Sequence, residues 1–153
     1  MLSPRFSVRP FSTDDAERVT TLWRESMSAA IGIESIHSFE SQLYFLTQVL
    51  PQHYTVLVAV DDMVDIPIAF TAYSPTEVNQ LYVDVMYQGQ GIGAALIQLA
   101  LRDSSGSLQL RTFEVNQKAQ RFYERYGFVA IGGDSNNEEG LTDILYEWRR
   151  CEA

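Results

Sequence analysis

Cysteine is nearly absent. Cys151 stands alone, so no internal disulfide can form, and the chain suits a reducing, cytoplasmic setting. Basic residues are scarce: eleven Lys and Arg face twenty Asp and Glu, for a formal net charge of -9. Phosphate backbones reward the opposite balance, which argues against a nucleic-acid partner. No apolar run reaches the roughly 18 residues that a membrane helix needs, so no membrane association is expected. The opening stretch, MLSPRFSVRPF, has no apolar h-region, so no secretory signal is expected either. No cluster of His, Cys and Asp has metal-ligand spacing, and no metal is expected. Repeats, low-complexity tracts and Pro/Gly/Ser-rich linkers are missing as well. Residues 1–153 therefore read as one domain, long enough to bury a hydrophobic core.

The residues that are present fall into an ordered pattern. FSVRP (6–10) alternates like a short strand. The stretch from Ser12 repeats Val19, Leu22, Trp23 and Met27 at helical spacing, with a cap and acids at its start. SFESQLYFLTQVL predicts a second helix that Pro51 ends, with His53 in the following turn. Three strands follow, at 54–60, 66–74 and 77–85, joined by short turns that make them antiparallel. A helix over about 91–103 crosses to a parallel strand at 107–113. A helix at 116–127 and two more strands close the chain. This order predicts an α/β fold: a mixed, mostly antiparallel sheet of about seven strands with helices on both faces.

One stretch, YQGQGIGAALIQLAL (87–101), sets three glycines ahead of a helical pattern. A turn that opens a helix aims backbone N–H groups at one point, where the helix dipole adds positive charge. Glycine lets a phosphate approach without a Cβ in the way. Neither the nucleotide-triphosphate loop nor the dinucleotide fingerprint fits, since no Gly-Lys-Ser/Thr follows and the spacing is G-x-G-x-G. Taken alone, the stretch is equally plain turn chemistry.

Together with its neighbours, LYVDVMYQGQGIGAALIQLAL resembles the acetyl-CoA-binding segment of the GNAT N-acetyltransferase superfamily. That segment carries Gln or Arg, two residues, Gly, one residue, then Gly or Ala; here these are Gln88, Gly91 and Gly93. NQKAQRFYERYGF resembles the family's second motif, and the element order matches over nearly the whole chain. The family often places Pro before the glycine turn, where Val85 and Met86 stand here.

The resemblance implies an enzyme that moves an acetyl group from acetyl-CoA to a primary amine, in a small molecule or a peptide, within a ternary complex. The alternatives are a silent acyl-CoA sensor and a protein N-terminal or ribosomal-protein acetyltransferase. It implies that the backbone of Gln88, Gly89, Gln90, Gly91, Ile92, Gly93 and Ala94 holds the CoA pyrophosphate. It further implies that the pantetheine arm lies between splayed fourth and fifth strands, near Val83 and Val85, with Asn116 in contact. Many relatives pair as dimers, and a homodimer is possible, although no interface is legible here.

An amine, with a reference pKa of about 10, must lose a proton to attack, and the leaving thiolate gains one. By the resemblance Tyr123 occupies the proton-donor position, with Tyr126 as the competing residue. The resemblance also makes Glu77 the candidate amine base, as in some family members with a glutamate at that offset; the alternative is a plain strand-end acid. His37 and the acids Asp134, Glu138 and Glu139 fall in regions that build the acceptor pocket in the family; each is equally readable as a solvated loop residue.

Overall fold

Alternation along four strands builds the first sheet in the computed structural model, which describes residues 5–151. Strands β1 (Phe6–Pro10), β2 (Thr55–Asp61), β3 (Ile66–Tyr73) and β4 (Val78–Val83) pair antiparallel in that order. Val56, Val58, Val60, Phe70 and Ala72 point to one face. There they pack under Val19, Leu22 and Trp23 of helix α1 (Ala16–Ile31) and Leu46 and Leu50 of the segment that follows it. Ala59, Ala69, Leu81 and Val83 point to the other face, against Ile92 and Leu96 of helix α4 (Ile92–Arg102). Burial of both faces explains the Val- and Ala-rich composition of β2 and β3.

The second helical segment departs from the sequence expectation. It does not stop at Pro51 but runs as α2 (Phe39–Tyr44), a π-helical turn (Phe45–Val49) and α3 (Leu50–His53), so His53 closes a helix. Proline cannot donate to the carbonyl four residues back, and its ring crowds that carbonyl. The wide turn, in which the Leu50 N–H reaches the Phe45 carbonyl, comes just before Pro51 and loosens the spiral there.

Strands β5 (Ser107–Phe113), β6 (Val129–Gly132) and β7 (Asp143–Arg149) form a second antiparallel sheet in the order β5-β7-β6. Helix α5 (Gln117–Arg125) joins β5 to β6 and packs Tyr123 against Phe128, Leu110 and Tyr146. The seven strands thus make a mixed, mostly antiparallel arrangement with helices on both faces. Among the described residues the two sheets meet at one parallel bridge, Glu77 with Gln109. Past that bridge β4 and β5 diverge and leave a gap.

The exit from β4 also differs from the expectation. Val85 is not on the strand: β4 stops at Val83, and Val85 lies exposed in a 3-10 turn, Val85–Tyr87. Asp84 causes this. Its Oδ1 accepts the Met86 N–H at 2.8 Å and offers the backbone an alternative to the strand ladder.

Candidate functional site

The turn that follows is built for backbone exposure. Gly89 and Gly91 have φ of +78° and +86°, a region closed to most side chains. Gly91 is the N-cap of α4 and supplies no side-chain cap, so the first N–H groups of the helix are left for another acceptor. A Cβ built at either glycine meets no atom within 4 Å, so the protein leaves that side of the turn open. Gly93 serves packing instead, since a Cβ there would touch the Phe122 ring at 3.5 Å, and α4 and α5 approach closely at this point.

Gln88 is exposed, but both ends of its side-chain amide are held by the scaffold. Its Nε2 donates to the Val83 carbonyl at 3.0 Å, and its Oε1 accepts from Lys118 Nζ at 3.0 Å. The side chain therefore ties the end of β4 to the start of α5, and it brings a cation beside the turn. Lys118 carries no motif signal, and its role is visible only once α5 is placed.

The gap between β4 and β5 holds a cavity of about 80 Å³, roofed by α5. Asn116 and Tyr123 line it, together with Val78 to Tyr82 and Leu110 to Phe113. Asn116 caps α5, its Oδ1 accepting the Ala119 N–H at 3.2 Å. Tyr123 is 8% exposed. Burial raises its phenol well above the ordinary tyrosine value, and the Tyr82 hydroxyl adds to the rise. Tyr126 caps the end of α5, its ring tilted against Phe122 at 5.2 Å; it lines neither this cavity nor the next.

A larger cavity, about 440 Å³, adjoins the gap and shares Met27, Ile31, Asn79, Gln80, Tyr82 and Phe113 with it. Its walls are aromatic and aliphatic: Trp23, Phe45 and Tyr82, with Ile33 and Ile36 from the loop after α1. Its ionisable side chains are Glu34, His37, Glu138 and Glu139. The Tyr82 phenol is pushed up to about 12, first by burial and then by Glu139. The Trp23 indole N–H lies near enough to offset part of that rise, yet outside hydrogen-bonding geometry, and has no partner among the described residues. An apolar tube with acidic groups suits an aliphatic stem that ends in a cation.

The remaining candidates separate. His37 and Glu138 come together across this cavity, whereas Asp134 lines neither cavity. Its carboxylate turns to Arg111 at 3.9 Å and accepts the Asn136 N–H at 2.8 Å. Glu77 also lines neither. Its Oε1 accepts from the Tyr54 hydroxyl at 2.7 Å and its Oε2 from Asn79 Nδ2 at 3.3 Å. The Tyr54 phenol is correspondingly raised to about 12, by burial first and by Glu77 second. Trp23 and Tyr82 are cavity residues that sequence reasoning missed, because on helix and strand alike they read as core.

A family model for the acetyltransferase (GNAT) domain matches residues 27–150. The peptidyl-lysine N-acetyltransferase YjaB of Salmonella typhimurium is 29% identical over 150 residues, which cover 92% of this chain and 97% of that protein. The solution structure of apo-form YjaB from Escherichia coli superposes with a TM-score of 0.77, at 23% identity over 96% of this chain and 99% of that one. The structure of yncA from Salmonella typhimurium with its cofactor acetyl-CoA superposes with a TM-score of 0.72, at 17% identity over 97% and 96%. With its glycine turn, its split sheet and its match over most of its length, this chain belongs to the GNAT family and is an acetyltransferase.

Proposed function

We propose that the chain transfers the acetyl group of acetyl-CoA to the side-chain amine of a lysine in a peptide or protein. The observation that carries this reading is the joining of two cavities at Asn79, Gln80 and Tyr82. One cavity leads back to the gap under Tyr123, and the other is an apolar chamber carrying four ionisable groups. The name of the Salmonella relative supports a lysine acceptor, and the tube's apolar wall matches a four-carbon stem.

The residues present fit acetyl-CoA. Backbone N–H groups from Gln88 to Ala94 hold the pyrophosphate, with Lys118 adjacent. Asn116 and the free side of β4 from Val78 to Tyr82 face the arm that carries the thioester, while Val83 is held by Gln88 and packs toward α4. Bound there, the cofactor supplies an activated acetyl group. Glu139 lines the acceptor chamber and makes no hydrogen bond among the described residues; it takes the amine's proton. Glu77, held by Tyr54 and Asn79, keeps the strand end in place. Tyr123, protonated in the neutral range as tyrosine ordinarily is and held so to higher pH by burial, gives a proton to the thiolate as it leaves.

Thiol release from acetyl-CoA, measured with a panel of lysine peptides, N-terminal amines and polyamines, tests the proposal. Lysine peptides should turn over and peptides with acetylated lysine should not. Tight CoA binding with no thiol release from any amine would instead mark a sensor, and turnover of N-terminal amines alone would overturn the lysine acceptor.

A further inference from the structure

We infer that Arg18, on α1, is a positioning residue for the glycine turn and that it acts by holding and neutralising Asp84. The inference rests on the reading of that turn as the acetyl-CoA site. Asp84 is the hinge between β4 and the turn, and its side chain is 7% exposed. Its N–H donates to the Ile68 carbonyl and its carbonyl accepts the Tyr87 N–H, both at 2.8 Å. Its Oδ1 accepts the Met86 N–H, and its Oδ2 accepts from the Arg18 guanidinium. Arg18 Nε donates in turn to the Pro67 carbonyl at 2.9 Å. The start of the turn is thus fixed to β3 and to α1 together. The far end of the 3-10 turn is fixed as well, through the Tyr87 hydroxyl on Asp61 at 2.7 Å.

The charge argument is separate from the geometric one. A buried carboxylate four residues ahead of Gln88 would repel an anionic ligand on the same turn. Arg18, itself only partly buried, cancels that charge through its guanidinium on Oδ2. Lys118, also beside the turn, is held on Gln88 and makes no bond to Asp84. The same helix, one to three turns further on, presents Trp23 and Met27 to the acceptor chamber. Helix α1 therefore sets both the turn and the chamber wall.

Calorimetry of CoA binding to the full chain tests the assignment, with acetyl-CoA KM and kcat measured alongside. Arg18→Met should raise the CoA Kd by about tenfold or more, as expected when one partner of a part-buried charge pair is removed. Acetyl-CoA KM should rise with it and kcat should change far less. Adding Asp84→Asn to Arg18→Met should recover much of the affinity, because the unpaired carboxylate is gone. Arg18→Lys keeps the charge but not the fork and should fall between the two; if Arg18→Met does not fold, this variant decides. Arg9→Met breaks the ion pair with Asp15 at the start of the same helix without touching Asp84, and should lower Tm while leaving Kd alone. Wild-type Kd in the Arg18 variants overturns the inference, and so does equal weakening in Arg9→Met, which would mean general softening. A wild-type chain that binds no CoA sinks the underlying reading instead.

Discussion

His37 Nε2 stands 2.5 Å from Glu138 Oε2, joining the loop after α1 to the loop between β6 and β7 across the mouth of the acceptor chamber. Both side chains are more than half exposed, so the pair itself contributes little to stability, on the order of 0–1 kcal/mol. Its consequence is local: it places Glu138 over the chamber that Glu139 also lines. Replacing Glu138 by Gln should raise the acceptor KM several-fold, most visibly at low salt, and leave CoA binding unchanged; Glu139→Gln also removes the proposed base and should lower kcat as well. Asp134→Asn is the matched control, because Asp134 faces Arg111 and not the chamber. Initial-rate kinetics at two salt concentrations check this. An equal effect of Asp134→Asn would mean that diffuse charge, and not the chamber, attracts the acceptor.

Gly91 allows a second test. Its φ of +86° costs a residue with a Cβ about 1–2 kcal/mol, but the Cβ would point into open space. Gly91→Val should therefore fold with a lowered Tm and bind CoA at least about tenfold more weakly, because the branched chain occupies the side of the turn that phosphate must reach. Gly106→Val introduces backbone strain away from the site, at φ +123°, and separates strain from occlusion. Equal CoA Kd values for the two variants would place the loss in the fold.

The turn and the strand order were legible because their signals are local. Gln88, Gly91 and Gly93 are fixed by spacing, and Val-rich alternation marks β2 without any knowledge of partners. The helix through Pro51 was not legible, since a π-helical turn leaves no periodicity of its own. Val85 was misplaced on the strand because its β-branched side chain continues the pattern, whereas the Asp84 carboxylate ends the ladder through a bond to Met86. The acceptor chamber depends on long-range placement. Trp23 and Tyr82 come from a helix and a strand and read singly as core; of the loop residues, His37, Glu138 and Glu139 become candidates only through the resemblance.

The pair of Arg9 and Asp15 predicts a pH dependence of stability. Both Asp15 oxygens accept from Arg9 at 2.8 Å, and Oδ2 also accepts the Ser12 N–H at 2.9 Å in a capping box. The Arg9 hydrogen bond is the main cause that holds this carboxyl below its ordinary value. A carboxyl that is depressed in the folded state stabilises the fold above its unfolded pKa, about 3.9, and loses that contribution as pH falls through the folded value. Asp15→Asn should therefore cost about 0.5–2 kcal/mol at pH 7, the range of a lost helix cap. The cost should shrink as pH falls below about 4. Denaturant melts at pH 7 and pH 3 measure it, and an unchanged difference would show that the carboxylate's charge contributes nothing.

Tyr123 supplies the last prediction. Its ring packs edge-on against Phe122 at 5.2 Å and Phe128 at 5.7 Å, so the side chain is held by the core while it lines the gap. Phe in its place keeps those contacts and removes the proton. General acid help is worth ~10²- to 10⁴-fold, so kcat of Tyr123→Phe should fall at least about tenfold even where water substitutes in part. CoA affinity and Tm should stay near wild type, since the phenol acts mainly as the thiolate forms. The raised phenol adds a pH signature. The donor stays protonated past the ordinary tyrosine value of about 10, so it imposes no basic limb on the rate below that pH. Tyr126→Phe is the control: its ring packs tilted against Phe122 outside both cavities, and loss of its hydroxyl should cost far less. A dead Tyr126→Phe with an active Tyr123→Phe would move the donor to the neighbour. Two active variants would mean that the thiolate takes its proton from water and that α5 contributes walls and capping alone.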